Sequence, residues 1–188
     1  RKGNNLKGTG NGRQQNKNAK TNKPVRDNKS AKSVKRNNKP VPAKPVKIIF
    51  DTDMGNDVDD VVALDMLYKY QDEGTINLLG ILSSKREGGS VKLIDAMNTL
   101  YGYPNIPVGI AKIYPEENYS TSKRLNYADW VVANYNYKHT IKDWNAVPDG
   151  YKLLRQLLAK EEDHSVVVVA VGFSPNLARM MESNGDEF

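Results

Sequence analysis

Short apolar runs alternate with segments of helical periodicity from residue 46 to the end of the chain. The runs lie at 46–50, 76–82, 106–110 and 166–171, and their length and aliphatic composition are typical of strands buried on both faces of a sheet. Strands that alternate with helices usually pair in parallel through right-handed crossovers. The pattern therefore predicts an α/β fold: an open, mainly parallel, Rossmann-like sheet with flanking helices.

Apolar residues spaced three or four apart predict the helices between these runs. Such spacing occurs from Asp60 onward, at 91–101, at 128–135 and at 150–160, and a last helix is predicted to begin near Asn176. The segment 83–90 is polar and rich in serine and glycine, so it is predicted to be a loop at the carboxyl end of the second strand.

Residues 1–45 differ from the rest of the chain in charge and composition. Of 28 basic and 22 acidic residues, 14 basic and one acidic lie in this segment, so its formal charge is +13 and that of residues 46–188 is −7. The segment has no aromatic residue and buries too little surface to offset its chain entropy. We predict a disordered Lys/Asn-rich tail, able to contact a polyanion non-specifically, followed by an α/β domain over 46–188.

Other features of the composition narrow the class of protein. The 188 residues contain no cysteine, which excludes disulfides and thiolate metal sites within them. No apolar run approaches the roughly 20 residues of a transmembrane helix, so we expect no membrane span. Cytoplasmic and exported locations both stay open, and so does assembly into a homo-oligomer.

Five aspartates follow the first apolar run: Asp51, Asp53, Asp57, Asp59 and Asp60. They come where the first strand is predicted to end, and open α/β sheets bind ligands at the carboxyl ends of their strands. Carboxylates this close together repel one another, and they stay ionised most easily around a hard cation such as Ca²⁺ or Mg²⁺. Helix capping explains one or two aspartates, but not five. The cluster predicts a site for a metal or a polar ligand.

This stretch resembles the signature of the inosine-uridine-preferring nucleoside hydrolase family. That signature is a buried strand, then Asp-x-Asp-x-Gly, then a pair of aspartates leading into a helix. The matching residues here are Asp51, Asp53, Gly55, Asp59 and Asp60. The resemblance extends over residues 46–188, with its clearest later parts at 101–109 and 166–178.

The resemblance implies calcium-dependent hydrolysis of the N-glycosidic bond of ribonucleosides to free base and ribose, as in purine and pyrimidine salvage. It implies that Ca²⁺ is held by Asp53, Asp60 and the main-chain carbonyl of Val171. It also implies that Asp59 is the general base, taking a proton from a metal-held water. Asp51 and Asp59 would contact the nucleoside.

The sequence departs from the family pattern in several places. Asp57 is an additional acid, which leaves open how Asp57 and Asp59 divide their roles. Glu87 stands near the position of a family asparagine, and Pro175 stands where a threonine is usual. Family members continue further and supply another aspartate ligand. We therefore expect a domain truncated at its C-terminus, with little or no turnover by the 188 residues alone.

Three alternatives stay open. In a haloacid-dehalogenase-type phosphatase, Asp51 would be the nucleophile and Asp53 the acid/base, but Gly55 stands where that family has Thr or Val. An EF-hand loop starting at Asp51 needs Gly and Glu where Asn56 and Val62 stand. The third is a non-enzymatic binding protein. It would be either a truncated protein that binds calcium or a nucleoside without turnover, or one that binds nucleic acid through its tail. Release of free base from inosine or uridine separates the hydrolase from the first two. Salt-sensitive binding to a polyanion, lost on removing residues 1–45, would identify a function of the tail.

Overall fold

The structure, a computed structural model, describes residues 44–112 and 126–185. The strands are β1 (Val46–Thr52), β2 (Ile76–Ser83), β3 (Val108–Ile110) and β4 (Val166–Ala170). The helices are α1 (Asp59–Asp72), α2 (Gly88–Leu100), α3 (Tyr127–Asn134), α4 (Gly150–Leu158) and α5 (Pro175–Glu182), with a 3₁₀ turn at Trp144–Ala146. Within these ranges no helix has the length and apolar character to cross a membrane. The prediction of a disordered tail concerns residues that lie almost entirely outside the described ranges.

The four strands form one parallel sheet in the order β3-β2-β1-β4. This arrangement confirms the predicted open parallel α/β fold. The chain adds β2 and β3 on one side of β1 and then places β4 on the other side. The carboxyl ends of β1 and β4 therefore flank the point where the strand order reverses, which is where open α/β sheets form their ligand crevices.

The helices cover both faces of the sheet, and alternate residues of β1 point to opposite faces. Ile48 and Phe50 belong to a core cluster packed with α1, α2 and α3. Ile49, which is fully buried, packs instead with Leu153 and Leu154 of α4. This alternation follows from the two-residue period of a strand. The helices on both faces explain why three consecutive residues in the middle of β1, Ile48 to Phe50, are apolar.

The fourth strand was predicted to be buried on both faces, and in this respect the prediction is wrong. Val167 is 49% exposed, although the strand is almost entirely valine. Among the described residues β4 pairs only with β1, so it forms an edge of the sheet. Its β-branched composition favours a strand, but position within the sheet decides how much of that strand is buried.

Helix α2 begins at Gly88, within the segment predicted to be a loop. Gly88 packs against the ring of Trp144, and Gly89 packs so closely against Asp129 that a Cβ atom at either position would overlap its neighbour. Glycine is a poor helix former, so the helical periodicity becomes visible only at Val91. Tertiary contacts, rather than local preference, extend the helix towards its N-terminus.

Candidate active site

The segment between β1 and α1, residues 53–58, lies at the reversal of strand order, and we call it the acidic loop. It is in close contact with the turn that follows β4, because a Cβ atom on Gly172 would overlap the backbone nitrogen of Asp53. The amide of Val171 donates a hydrogen bond of 2.9 Å to the carbonyl of Asp51. These contacts bring the ends of two strands, far apart in sequence, to one place.

Gly55 turns the acidic loop back over the sheet towards α3. Its φ of +120° is a conformation that residues with a side chain rarely adopt. The carbonyl of Gly55 accepts a hydrogen bond of 3.2 Å from the amide of Tyr127. The side chain of Asn126 occupies the space that a Cβ atom on Gly55 would need. Glycine is therefore required here both by the backbone and by the contact.

Asp51 lies at the floor of the site and is fully buried. Its Oδ2 accepts a hydrogen bond of 3.0 Å from the amide of Asn176, which also donates to the carbonyl of Ser83 at 3.2 Å. Its Oδ1 is buried and accepts no hydrogen bond from the described residues. Burial raises the pKa of Asp51 to about 7; the Asn176 hydrogen bond lowers it, and the charge of Asp53 adds to the rise.

Asp60, in the first turn of α1, is the second buried carboxylate. The hydroxyl of Thr52 donates to its Oδ1 at 2.5 Å, and that hydroxyl in turn accepts from the amide of Met54 at 3.1 Å. Its Oδ2 is buried with no hydrogen-bond partner in the part of the chain that the structure describes. Burial is the largest cause that raises the pKa of Asp60 to about 6, opposed by Thr52 and reinforced by the neighbouring aspartates.

Asp57 and Asp59 are exposed at the rim of the site. Carboxylate oxygens of Asp57, Asp59 and Asp60 lie within 4.8 Å of one another, a spacing that can hold a metal ion. A hydrogen bond between Asp57 and Asp59 raises the pKa of Asp57 and lowers that of Asp59. Asp59 also accepts from the amide of Asp60 at 3.0 Å. Of the two rim acids, Asp59 is therefore the one that stays ionised more readily.

The donor set fits a hard divalent cation. Buried carboxylate oxygens without a hydrogen-bond donor are costly unless a cation is near, and Asp51 and Asp60 each contribute one such oxygen. Asp53 is not one of the three residues whose oxygens lie together, and its carboxylate accepts a hydrogen bond from Asn56. Its charge adds to the raised pKa of both Asp51 and Asp60. Val171 lies at the same edge through its bond to Asp51. Metal binding by Asp53, Asp60 and Val171 stays a prediction.

Three residues that support the acids were not identified as site residues from the sequence. Thr52 holds Asp60, Asn176 holds Asp51, and Lys85 reaches Asn56 in the acidic loop at 2.8 Å. Thr52 lies within the Asp-x-Asp motif, and Asn176 lies in the turn after β4. Their polar side chains inside segments already singled out from the sequence could have identified them. Lys85 stands in a polar segment that gave no signal.

Comparison with models of known families gives no match, and neither does comparison with characterised protein sequences. Solved structures do match. The plant nucleoside hydrolase PpNRh1 is 20% identical, with a TM-score of 0.59 over 74% of this chain and 43% of that chain. The effector protein XOO4466 and the type III effector protein XopQ, the latter complexed with adenosine diphosphate ribose, are each 20% identical over 75% of this chain. Their TM-scores are 0.55 and 0.54, and the match covers 40% and 39% of their chains.

These matches define the class of the molecule as an α/β protein with a nucleoside-hydrolase-like fold. The chain spans about two-fifths of the length of the solved structures that it matches. Because folds host many activities, the likeness leaves the chemistry to be argued from the site.

Proposed function

We propose that the acidic loop and its surroundings form the metal-binding part of a calcium-dependent nucleoside hydrolase of the inosine-uridine-preferring type. The observation that carries this proposal is the pair of buried carboxylate oxygens, on Asp51 and Asp60, that have no hydrogen-bond partner among the described residues, together with the exposed acids Asp57 and Asp59 close to Asp60. Neutral hydrogen-bonding ligands would leave this concentration of negative charge uncompensated. A divalent cation would satisfy the oxygen of Asp60, and a ribose hydroxyl would satisfy that of Asp51.

Each acid has a role that its surroundings support. Asp53, Asp60 and the carbonyl of Val171 would hold the ion, which when bound supplies a water molecule of lowered pKa. Asp59 would accept the proton of that water. It is exposed at the rim of the site, and its carboxylate lies within 4.8 Å of that of Asp60, a proposed ligand of the ion, so it could reach a water that the ion holds.

Asp51 would contact the ribose of the nucleoside. One of its oxygens is fixed by Asn176 and the other has no partner among the described residues, so the second can bind a hydroxyl. The transition state of glycosidic cleavage has oxocarbenium character, which nearby carboxylates stabilise. The products would be ribose and a free base. The polyanion contact of the tail is a separate proposal, tested by salt-sensitive binding that is lost without residues 1–45.

The test measures free base released from inosine and uridine, with calcium or with a chelator, by a chain completed at its C-terminus, because little or no turnover is expected of the 188 residues alone. Asp59→Ala is expected to lower turnover by about 10²–10⁴-fold while calcium stays bound, because it removes only the proton acceptor. Asp60→Asn is expected to lose calcium affinity and turnover together. Asp163→Ala removes an exposed acid from outside the site and serves as the matched control. Full turnover in Asp59→Ala, with Asp57→Ala inactive, would exchange the two roles.

A second candidate is a protein that binds calcium or a riboside without turnover. It is favoured by the likeness to XopQ, whose structure is a complex with adenosine diphosphate ribose. A completed wild-type chain that binds calcium and a riboside but releases no base would support this candidate. Phosphate release from a phosphomonoester, without base release, would instead support the haloacid-dehalogenase alternative.

A further inference from the structure

Lys85, just beyond β2, is a lysine with only 4% of its surface exposed. Its Nζ lies 2.8 Å from Oδ1 of Asn56 and 2.8 Å from Oε2 of Glu87. A buried ammonium is costly unless it is both paired with a charge and hydrogen-bonded, and here it is both. Lys85 thus makes specific contacts with the acidic loop, and the mechanism proposed above assigns no role to it.

The backbone of Lys85 is held as firmly as its side chain. The hydroxyl of Ser83 donates to the carbonyl of Lys85 at 3.0 Å and accepts from its amide at 3.3 Å. The same hydroxyl lies 2.9 Å from that of Ser90, in the first turn of α2. All of these groups are buried. Hydrogen bonds to Ser83 of β2, which in turn contacts Ser90 of α2, therefore hold the backbone of Lys85, and the Lys85 ammonium contacts the acidic loop.

Lys85 lies in the middle of a chain of polar contacts that begins at the acids. Asn56 accepts from Lys85 and, with the other end of its amide, donates to the carboxylate of Asp53. Glu87 accepts both from Lys85 and from the amide of Asn126, the residue that caps α3. Through Asn56, a hydrogen-bonded connection thus runs from the ammonium of Lys85 to the carboxylate of Asp53.

We propose that Lys85 is a positioning residue, which holds the acidic loop through Asn56 and so orients Asp53 for cation binding. The part of this proposal that concerns the cation rests on the proposed function, since it takes Asp53 as a calcium ligand. The part that concerns the loop rests on geometry alone.

A simpler role for Lys85 would be to neutralise charge among the acids, and the two roles predict opposite results. If the lysine acts only through its charge, then removing it makes the site more negative and strengthens calcium binding. If it acts by positioning, then removing it loosens Asp53 and weakens calcium binding. Asn56→Ala separates the roles further, because it breaks the connection to Asp53 without changing any charge.

The test combines calcium titration with hydrogen exchange of the metal-free protein. Lys85→Met and Asn56→Ala are each expected to weaken calcium binding by about 10–100-fold, the usual effect of losing a partner that orients a metal ligand. The double variant is expected to lose little more than either single one, because both break one connection. Lys152→Met removes an exposed lysine on α4 and is the matched control.

Hydrogen exchange in chelator reports on the loop without any metal. The amides of residues 53–58 are expected to exchange faster in Lys85→Met and in Asn56→Ala, while the amide of Ile49 in the sheet keeps its protection. Unchanged exchange in the loop would overturn the proposal, and so would calcium binding that is equal or tighter in Lys85→Met. Faster loop exchange in a protein whose wild type binds no calcium would confirm the positioning and refute the proposed function instead.

Discussion

Removal of divalent metal is expected to make the stability of the fold depend on pH, with Asp51 as the main cause. Its pKa rises from the ordinary 3.8 to about 7 in the folded chain. Between these values the folded chain holds a proton that the unfolded chain has released. The free energy of unfolding therefore falls as the pH rises from about 4 to about 7, and it levels off above that range.

The size of the effect follows from the size of the shift. A difference of about 3 pKa units corresponds to about 4 kcal/mol, against a typical total stability of about 5–15 kcal/mol. Asp60, with a pKa of about 6, acts in the same direction, but the two acids lie in one cluster and their effects do not simply add. For a domain of this size, about 4 kcal/mol corresponds to a fall in Tm of about 10 °C.

Thermal unfolding followed by circular dichroism, in chelator at several pH values from about 5 to about 8, measures this dependence. Asp51→Asn is the control, because its amide has no proton to lose and should flatten most of the slope. Saturating Ca²⁺ at about pH 8 should restore the lost stability. A wild-type protein equally stable at both ends of the range in chelator would refute the reasoning, as would an unchanged slope in Asp51→Asn.

Two further substitutions test the frame of the site. Gly55→Ala should lower the free energy of unfolding, measured in urea, by about 2–3 kcal/mol. Alanine is strained at φ +120°, and its Cβ would overlap the side chain of Asn126. A change within about 0.5 kcal/mol would contradict this. Asn176→Ala should cost about 2–4 kcal/mol and extend the pH dependence in chelator to higher pH, because Asp51 loses its hydrogen bond. An unchanged pH profile, or an equal loss of stability in the exposed control Asn134→Ala, would argue against that role.

The fold could be predicted from the sequence because its signals are local. Ile48, Ile49 and Phe50 are consecutive apolar residues, as a strand covered on both faces requires, and the segments between the strands show helical periodicity. The exposure of Val167 and the early start of α2 at Gly88 could not be predicted. Both depend on which neighbours a residue meets in the folded chain, and no local pattern records that.

The residues of the candidate site likewise fall into those that the sequence revealed and those that only the folded chain revealed. The acids lie within ten residues of sequence, so their cluster was visible at once. Asn176 is 125 residues from its partner Asp51, and Lys85 is 29 residues from Asn56, so only the paired strand ends bring these groups together. The raised pKa of Asp51 likewise follows from burial that the fold creates. Sequence identified the charged groups, and the structure identified the residues that orient them.

Titration calorimetry of Ca²⁺ into the metal-free chain tests most directly the claim that the acidic loop is a cation site. Asp60 contributes a buried oxygen without a hydrogen-bond partner among the described residues, and Asp163→Asn provides a control with the same change of charge outside the site. The wild type and the control should bind Ca²⁺ with equal affinity, and Asp60→Asn should bind at least about tenfold more weakly. No binding by the wild type, or equal affinity in Asp60→Asn, would contradict the account.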